Sequence, residues 1–119
     1  MPLDQNALEE LRALDPDGSS GLVAQVIESY MEDTNSIFAK IKTAIASADA
    51  TTMAREAHSL KSTSRSVGAL HLGDLAADME KIGRTGTIDG CAAALDGMVA
   101  EYKAVEPALR EAGKPAQQV

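Results

Sequence analysis

The sequence predicts an all-α protein: an up-down four-helix bundle with a short extra helix at its N-terminus. Three observations carry this. Ala, Leu, Met and Glu, which favour helices, dominate the chain, whereas the aromatics that favour strands are only 3% of it (Tyr30, Phe38 and Tyr102). Apolar residues recur at steps of three and four along successive stretches. The connections between those stretches are short, which forces neighbouring helices antiparallel. A length of 119 residues suits one domain that buries its own core. That core is expected over about residues 7–110, with residues 111–119 as a tail, frayed from Lys114 onward.

In chain order, Asn6 and Glu9 read as a helix N-cap pair ahead of Leu8, Leu11 and Leu14. The run Asp15-Pro16-Asp17-Gly18-Ser19-Ser20-Gly21 reads as a turn. Its aspartates do not make a calcium loop. Counted from Asp15, the places that need glycine and glutamate hold Ser20 and Val26. Residues 22–48 form the longest amphipathic stretch, on Val23, Val26, Ile27, Tyr30, Ile37, Phe38, Ile41 and Ala44, with the polar run Glu32 to Ser36 as a place to bend or break. After the connection Asp49-Ala50-Thr51, a helix over 52–67 ends at Gly68, where a C′ glycine belongs. A further helix over 70–82 carries Leu72, Leu75, Ala76, Met79 and Ile82 on one face and is ended by Gly83-Arg84-Thr85-Gly86. The last, over 88–110, buries Ile88, Cys91, Leu95, Met98, Tyr102 and Val105. Pro107 is expected to kink or end it near Glu106, because proline removes a backbone donor.

Charge and cysteine content exclude several classes of function. A net charge of −7 opposes a sequence-independent grip on nucleic acid and attachment to an anionic membrane surface. The single cysteine, Cys91, forms no intramolecular disulfide and falls in the apolar series of the last helix. The N-terminus lacks the basic and apolar regions of a signal peptide, and no apolar run approaches the ~18 residues of a membrane span. The expectation is a soluble, cytoplasmic, monomeric protein.

One segment stands apart from this acidic background. On a helical wheel of 53–68, Ala54, Ala57, Leu60, Ser64 and Val67 point inward, and His58 falls about 100° from Ala57, toward solvent. Arg55, Lys61, Ser62 and Arg65 lie on its side at helical-neighbour spacings. The segment holds Arg55, Lys61 and Arg65 against Glu56 alone. A cationic stripe centred on an outward histidine suits an anion. A neutral imidazole nitrogen is a good nucleophile near pH 7, and phosphoryl transfer needs mainly in-line positioning and cations for the equatorial oxygens. Lys61 would supply such a point charge. Ala54 and Ser62, one turn either side of His58, are small enough to admit a partner's active site. An ordinary solvated helix face remains the alternative on spacing alone.

The run Ala57-His58-Ser59-Leu60-Lys61-Ser62-Thr63-Ser64-Arg65-Ser66-Val67-Gly68-Ala69 resembles the signature of histidine phosphotransfer domains, roughly A-H-x-L-K-G-S-S-x-x-L-G-A. Leu72, Leu75, Met79-Glu80 and Gly83-Arg84 are similar to the family's next helix and its end, so the resemblance spans about residues 7–105. It implies a phosphorelay intermediate. His58 would accept a phosphoryl group, at Nε2, from a receiver-domain phosphoaspartate and pass it to another response regulator. Lys61 would stabilise the phosphate, and Ala54, Arg55, Ser62 and Arg65 would dock the partner. It also implies receiver domains or a hybrid sensor kinase as partners, no kinase or ATPase activity, and no cofactor on this chain, with magnesium on the receiver. Ser62 departs from the family's usual glycine, and Arg65 stands where a small residue is common.

Rival readings are weaker. A sensor kinase's phosphoacceptor region would resemble H-[ED]-L-[RK]-T-P, but Ser59 replaces the acid and Thr63 the proline. A helical adaptor bundle would not need His58. His71 lacks a cationic stripe and reads as a surface or capping residue. A His58–His71 metal pair lacks carboxylate or cysteine partners at ligand spacing.

Overall fold

A computed structural model of the protein describes residues 3–17 and 21–113. The expectation of a frayed tail from Lys114, and residues 18–20 of the predicted turn, lie outside them. The described residues form five helices and no strand: α1 (Gln5–Arg12), α2 (Leu22–Ala46), α3 (Ala50–Ser66), α4 (Leu70–Arg84) and α5 (Cys91–Ala112). Helices α2 to α5 close into a ring in which α3 packs on α2 and α4, and α5 packs on the same two from the other side. Ile41, Met53, Leu60, Leu72, Met79, Met98 and Leu109 fill its axis, each fully buried.

Helix α1 closes one end of the bundle by burying Leu8 and Leu11, with Leu3 ahead of it. Its start differs from the expectation. The N-cap is Asp4, whose carboxylate accepts the Ala7 N–H at 3.0 Å, and Asn6 lies inside the first turn. Asp4 is fixed there because its own N–H donates to the Gly68 carbonyl at 2.7 Å. Gly68 is needed twice over at that crossing. Its φ is +85°, and a Cβ there would stand 2.9 Å from the Asp4 carbonyl oxygen. Leu3 and Asp4, ahead of residue 7, thus already pack on the bundle.

Helix α2 runs through the polar stretch that sequence offered as a break. Glu32, Asp33, Asn35 and Ser36 are exposed on its outer side, while Thr34 is fully buried in line with Tyr30 and Ile37. Its first turn takes a cap from a distance, since the Leu22 N–H donates to the Asp15 carboxylate at 3.3 Å. Pro107 does not end α5, which continues to Ala112 and so takes in the first two residues of the expected tail. The proline is on the exposed side, and the carbonyl it leaves without a helical donor belongs to exposed Lys103. Fully buried Leu109, with Ala108 and Ala112 against the core, holds the turns beyond it.

The α3–α4 seam is the closest packing that the glycines reveal. Gly83 was expected to terminate α4, yet it lies within it and is buried. A Cβ added there would stand 2.8 Å from the Ala54 Cβ and 2.9 Å from the Ala50 carbonyl oxygen. Small residues on both sides let the two helices touch. Gly83→Ala gains up to about 1 kcal/mol of helix propensity, but overpacking against a backbone oxygen costs about 1–3 kcal/mol. Its urea midpoint should fall below that of the wild type. A midpoint equal to or above the wild-type value would show that the seam yields without loss.

Candidate functional site

The contact of Ala54 with Gly83 sets the register of the antiparallel pair α3 and α4. One turn further along, the same register brings His58 of α3 beside Glu80 of α4. His58 Nδ1 lies 2.9 Å from Glu80 Oε2, and the two side chains differ sharply in environment: His58 is 54% exposed and Glu80 only 8%. Lys61, one turn beyond His58, donates from Nζ to the other carboxylate oxygen at 2.6 Å. Arg84, one turn beyond Glu80, donates from Nε to Oε2 at 2.9 Å, and its Nη2 reaches the same oxygen. A buried carboxylate is thus held by three nitrogen side chains, two from α3 and one from α4.

The electrostatics follow from that arrangement. The Lys61 hydrogen bond above all, then those from Arg84 and His58, hold the Glu80 carboxyl down at about 2, against the burial that pushes it up. Glu80 is therefore ionised at any ordinary pH, and an ionised carboxylate only accepts hydrogen bonds. The His58 nitrogen facing it must carry the proton. In the neutral ring that leaves the lone pair on Nε2, the nitrogen turned away from Glu80, as a nucleophile open to an incoming group.

The structure places the other sequence-derived candidates as follows. Lys61 is half-buried and engaged by Glu80. Arg65 is exposed and pairs with Asp74 at 3.4 Å. Its stem lies over Gly73, where a Cβ would meet the Arg65 Cγ at 3.0 Å. Arg55 is exposed. After the two Thr52 hydrogen bonds, its charge helps to hold the Asp49 carboxyl at the start of α3 below the usual range. Ser62 is exposed beside His58. Ala54 is not on this surface. It is 5% exposed, with its methyl group against Gly83, so its small size serves helix contact and not docking. The cationic stripe needs a matching correction, because α4 sets Glu80 against Lys61 and Asp74 against Arg65.

Sequence reasoning did not single out Glu80 or Arg84 as site residues. A signal for Glu80 was available: it follows Ala76 by four and precedes Gly83 by three, so an acid occupies a core-facing step of α4. His71 is exposed in the first turn of α4, in a shallow groove with Leu3 and Asp4, away from Glu80. Cys91 is fully buried, and burial, with Asp89 nearby, pushes its thiol up, which keeps it protonated and unreactive.

Fold and site together define an α-helical bundle that presents one imidazole nitrogen, oriented from behind by a buried carboxylate, on an open surface. The family model described as Hpt domain matches residues 25–111, and the chain belongs to that family. It is 28% identical over 105 residues to histidine-containing phosphotransfer protein 2 of Arabidopsis thaliana, covering 86% of this chain and 67% of that protein. Its fold is that of the crystal structure of histidine-containing phosphotransfer protein B from Pseudomonas aeruginosa PAO1, with a TM-score of 0.85 and 21% identity over 94% of each chain. Among the described residues, no helix is long and apolar enough to cross a membrane.

The depressed Glu80 value gives a test of the network. A carboxyl lower in the folded chain than its ordinary 4.5 stabilises the fold fully above that pH and loses the contribution as pH falls toward about 2. Glu80→Gln should be less stable than wild type at pH 7, and the two should converge between pH 4.5 and 2. Urea unfolding across that window measures this. Two curves separated by a constant gap would show that the carboxylate charge contributes nothing.

Proposed function

We propose that this chain is a phosphorelay intermediate in which His58 is the phosphoacceptor. The observation that carries the reading is the 2.9 Å contact of His58 Nδ1 with Glu80, because it leaves Nε2 as the outward nucleophile. In the forward step the Nε2 lone pair attacks the phosphorus of a receiver's phosphoaspartate, in line with the bond to the aspartyl oxygen. That P–O bond breaks and its electron pair returns to the aspartate carboxylate. The Nδ1 proton stays on the ring throughout, shared with Glu80, so the phosphorylated ring is cationic. In the second step a receiver aspartate attacks the same phosphorus, and a neutral imidazole leaves. A neutral leaving group is better than an anionic one, so the retained proton eases the second step, while in the first it leaves Nε2 as the attacking nitrogen.

Lys61 and Arg84 keep Glu80 ionised and aimed, and Lys61 retains donors that can meet the phosphoryl oxygens by charge-assisted bonds. Exposed Arg55, Ser62 and Arg65 border His58 as the docking face. The partners in this reading are receiver domains of response regulators or of a hybrid sensor kinase, and magnesium resides on the receiver. The protein works as a cytoplasmic monomer without kinase or ATPase activity of its own. Membership of the Hpt family favours this reading over a sensor-kinase fragment or an adaptor with an incidental histidine.

A receiver labelled on aspartate should transfer label to the wild type and to His71→Gln, but not to His58→Gln, and magnesium-ATP alone should label none of the three. Label retained by His58→Gln would falsify the assignment. The docking geometry is tested separately. Ser62→Trp should block transfer by excluding the partner. Its melting temperature should barely move, since substitutions at exposed positions usually change stability by under about 0.5 kcal/mol. Normal transfer by the tryptophan variant would mean that receivers approach over another face.

A further inference from the structure

One charged pair lies on the His58 face but outside the Glu80 network. Arg65 follows His58 by two turns of α3, so it stands on the same side of the helix, roughly 10 Å farther along. Across the seam, its Nη2 donates to Asp74 Oδ1 of α4 at 3.4 Å. Both side chains are open to water, Arg65 at 49% and Asp74 at 68% exposure. Two turns from the reactive histidine, the seam therefore carries a positive charge on its α3 side and a negative charge on its α4 side.

Stability does not account for this pair. A long, exposed ion pair contributes little to folding, yet α4 accommodates it with a glycine. Gly73 lies inside α4, where glycine is less favourable than alanine. The first atom that a Cβ at Gly73 would meet is the Arg65 Cγ, at 3.0 Å. The nearest backbone atom, the Lys61 carbonyl oxygen, would stand at 3.5 Å, an ordinary contact. Gly83 differs, because a Cβ there would meet the Ala50 carbonyl oxygen at 2.9 Å, so that glycine serves helix contact. Gly73 serves Arg65. It lets the arginine stem lie over the seam with less freedom, and a side chain ordered in advance binds a partner at lower entropic cost. Asp74 engages one end of a planar guanidinium whose fork matches carboxylates.

We propose that Arg65 and Asp74 together form a two-point charge key that selects the receiver and fixes its orientation. The inference rests on the phosphorelay reading of His58. The receiver that fits presents an acidic side chain over α3, against Arg65, and a basic one over α4, against Asp74. Its acid lies on the order of 10 Å from its phosphoaspartate, as Arg65 does from His58 along α3. Charges in that order guide the encounter and hold the register, whereas a receiver with the order reversed meets like charge at both points.

Exchanging the two charges distinguishes a key from an internal brace. The donor is a receiver, labelled on aspartate, that phosphorylates the wild type. The rate of label transfer against receiver concentration separates binding, read as the half-saturating concentration, from chemistry, read as the maximal rate. Arg65→Ala and Asp74→Ala each remove one contact and should raise the half-saturating concentration about tenfold, with little change in maximal rate. The double variant Arg65→Asp/Asp74→Arg restores a pair within the bundle but reverses the key. Its half-saturating concentration should exceed that of either single variant. Melting temperatures should stay close to that of the wild type, since both positions are exposed. A double variant that binds better than the single ones would mean that the pair only braces the two helices, and the proposal is overturned. Single variants that bind like the wild type, or that lose maximal rate alone, overturn it as well. Each of these results leaves the phosphorelay reading intact. If no receiver labels the wild type, that reading fails and the key with it.

Discussion

A carboxylate placed in a helix seam is unfavourable unless every one of its lone pairs is answered. Glu80 meets that condition through Lys61, Arg84 and His58. Removing one member of a buried ionic network leaves an uncompensated charge, which usually costs more than the intact network contributes. The four residues therefore act as a unit. His58 is at once the most exposed member of a buried network and the group that reacts, so its ring is held on one edge and free on the other. An imidazole on a plain solvated helix face would have neither a fixed tautomer nor a fixed plane.

The network depends in turn on how closely α3 and α4 approach. Ala54 and Gly83 permit the contact, and one turn of each helix carries it to His58 and Glu80. The same antiparallel register runs on to Arg65, whose stem lies over Gly73 and whose guanidinium reaches Asp74. At the far end of the seam, Gly68 turns the chain from α3 into α4 and receives Asp4 from α1. Glycines at both ends thus align the pair along its length. On this seam the small residues serve the geometry, while the charged ones serve the chemistry.

The rest of the bundle is more conventional. Its apolar residues fall where period and burial agree, and the exceptions sit at element ends. Pro107 is tolerated because the donor it lacks is missed on an exposed side, and Leu109 still has a core to enter. The polar residues around Thr34 are tolerated in α2 because a long helix needs only one apolar face. Both cases show packing overriding a local breaking signal.

The sequence by itself determined the helical class, the number of bundle helices, most of the core and the exposed placement of His58, because these follow from a 3.6-residue period that any stretch displays locally. The signature around His58 also made the family legible. The helix ends at Asp4, Arg84 and Ala112, the inward role of Ala54 and the place of Glu80 were decided only by the tertiary structure. Each depends on a partner distant in the chain: Gly68 for Asp4, Ala54 for Gly83, the core beneath Leu109 for the last turn of α5, and His58 with Lys61 for Glu80. Local periodicity can show that a side chain faces inward. Whether an inward acid meets two cations and a histidine is set by the register between two helices, and small-residue contact between them supplies that register.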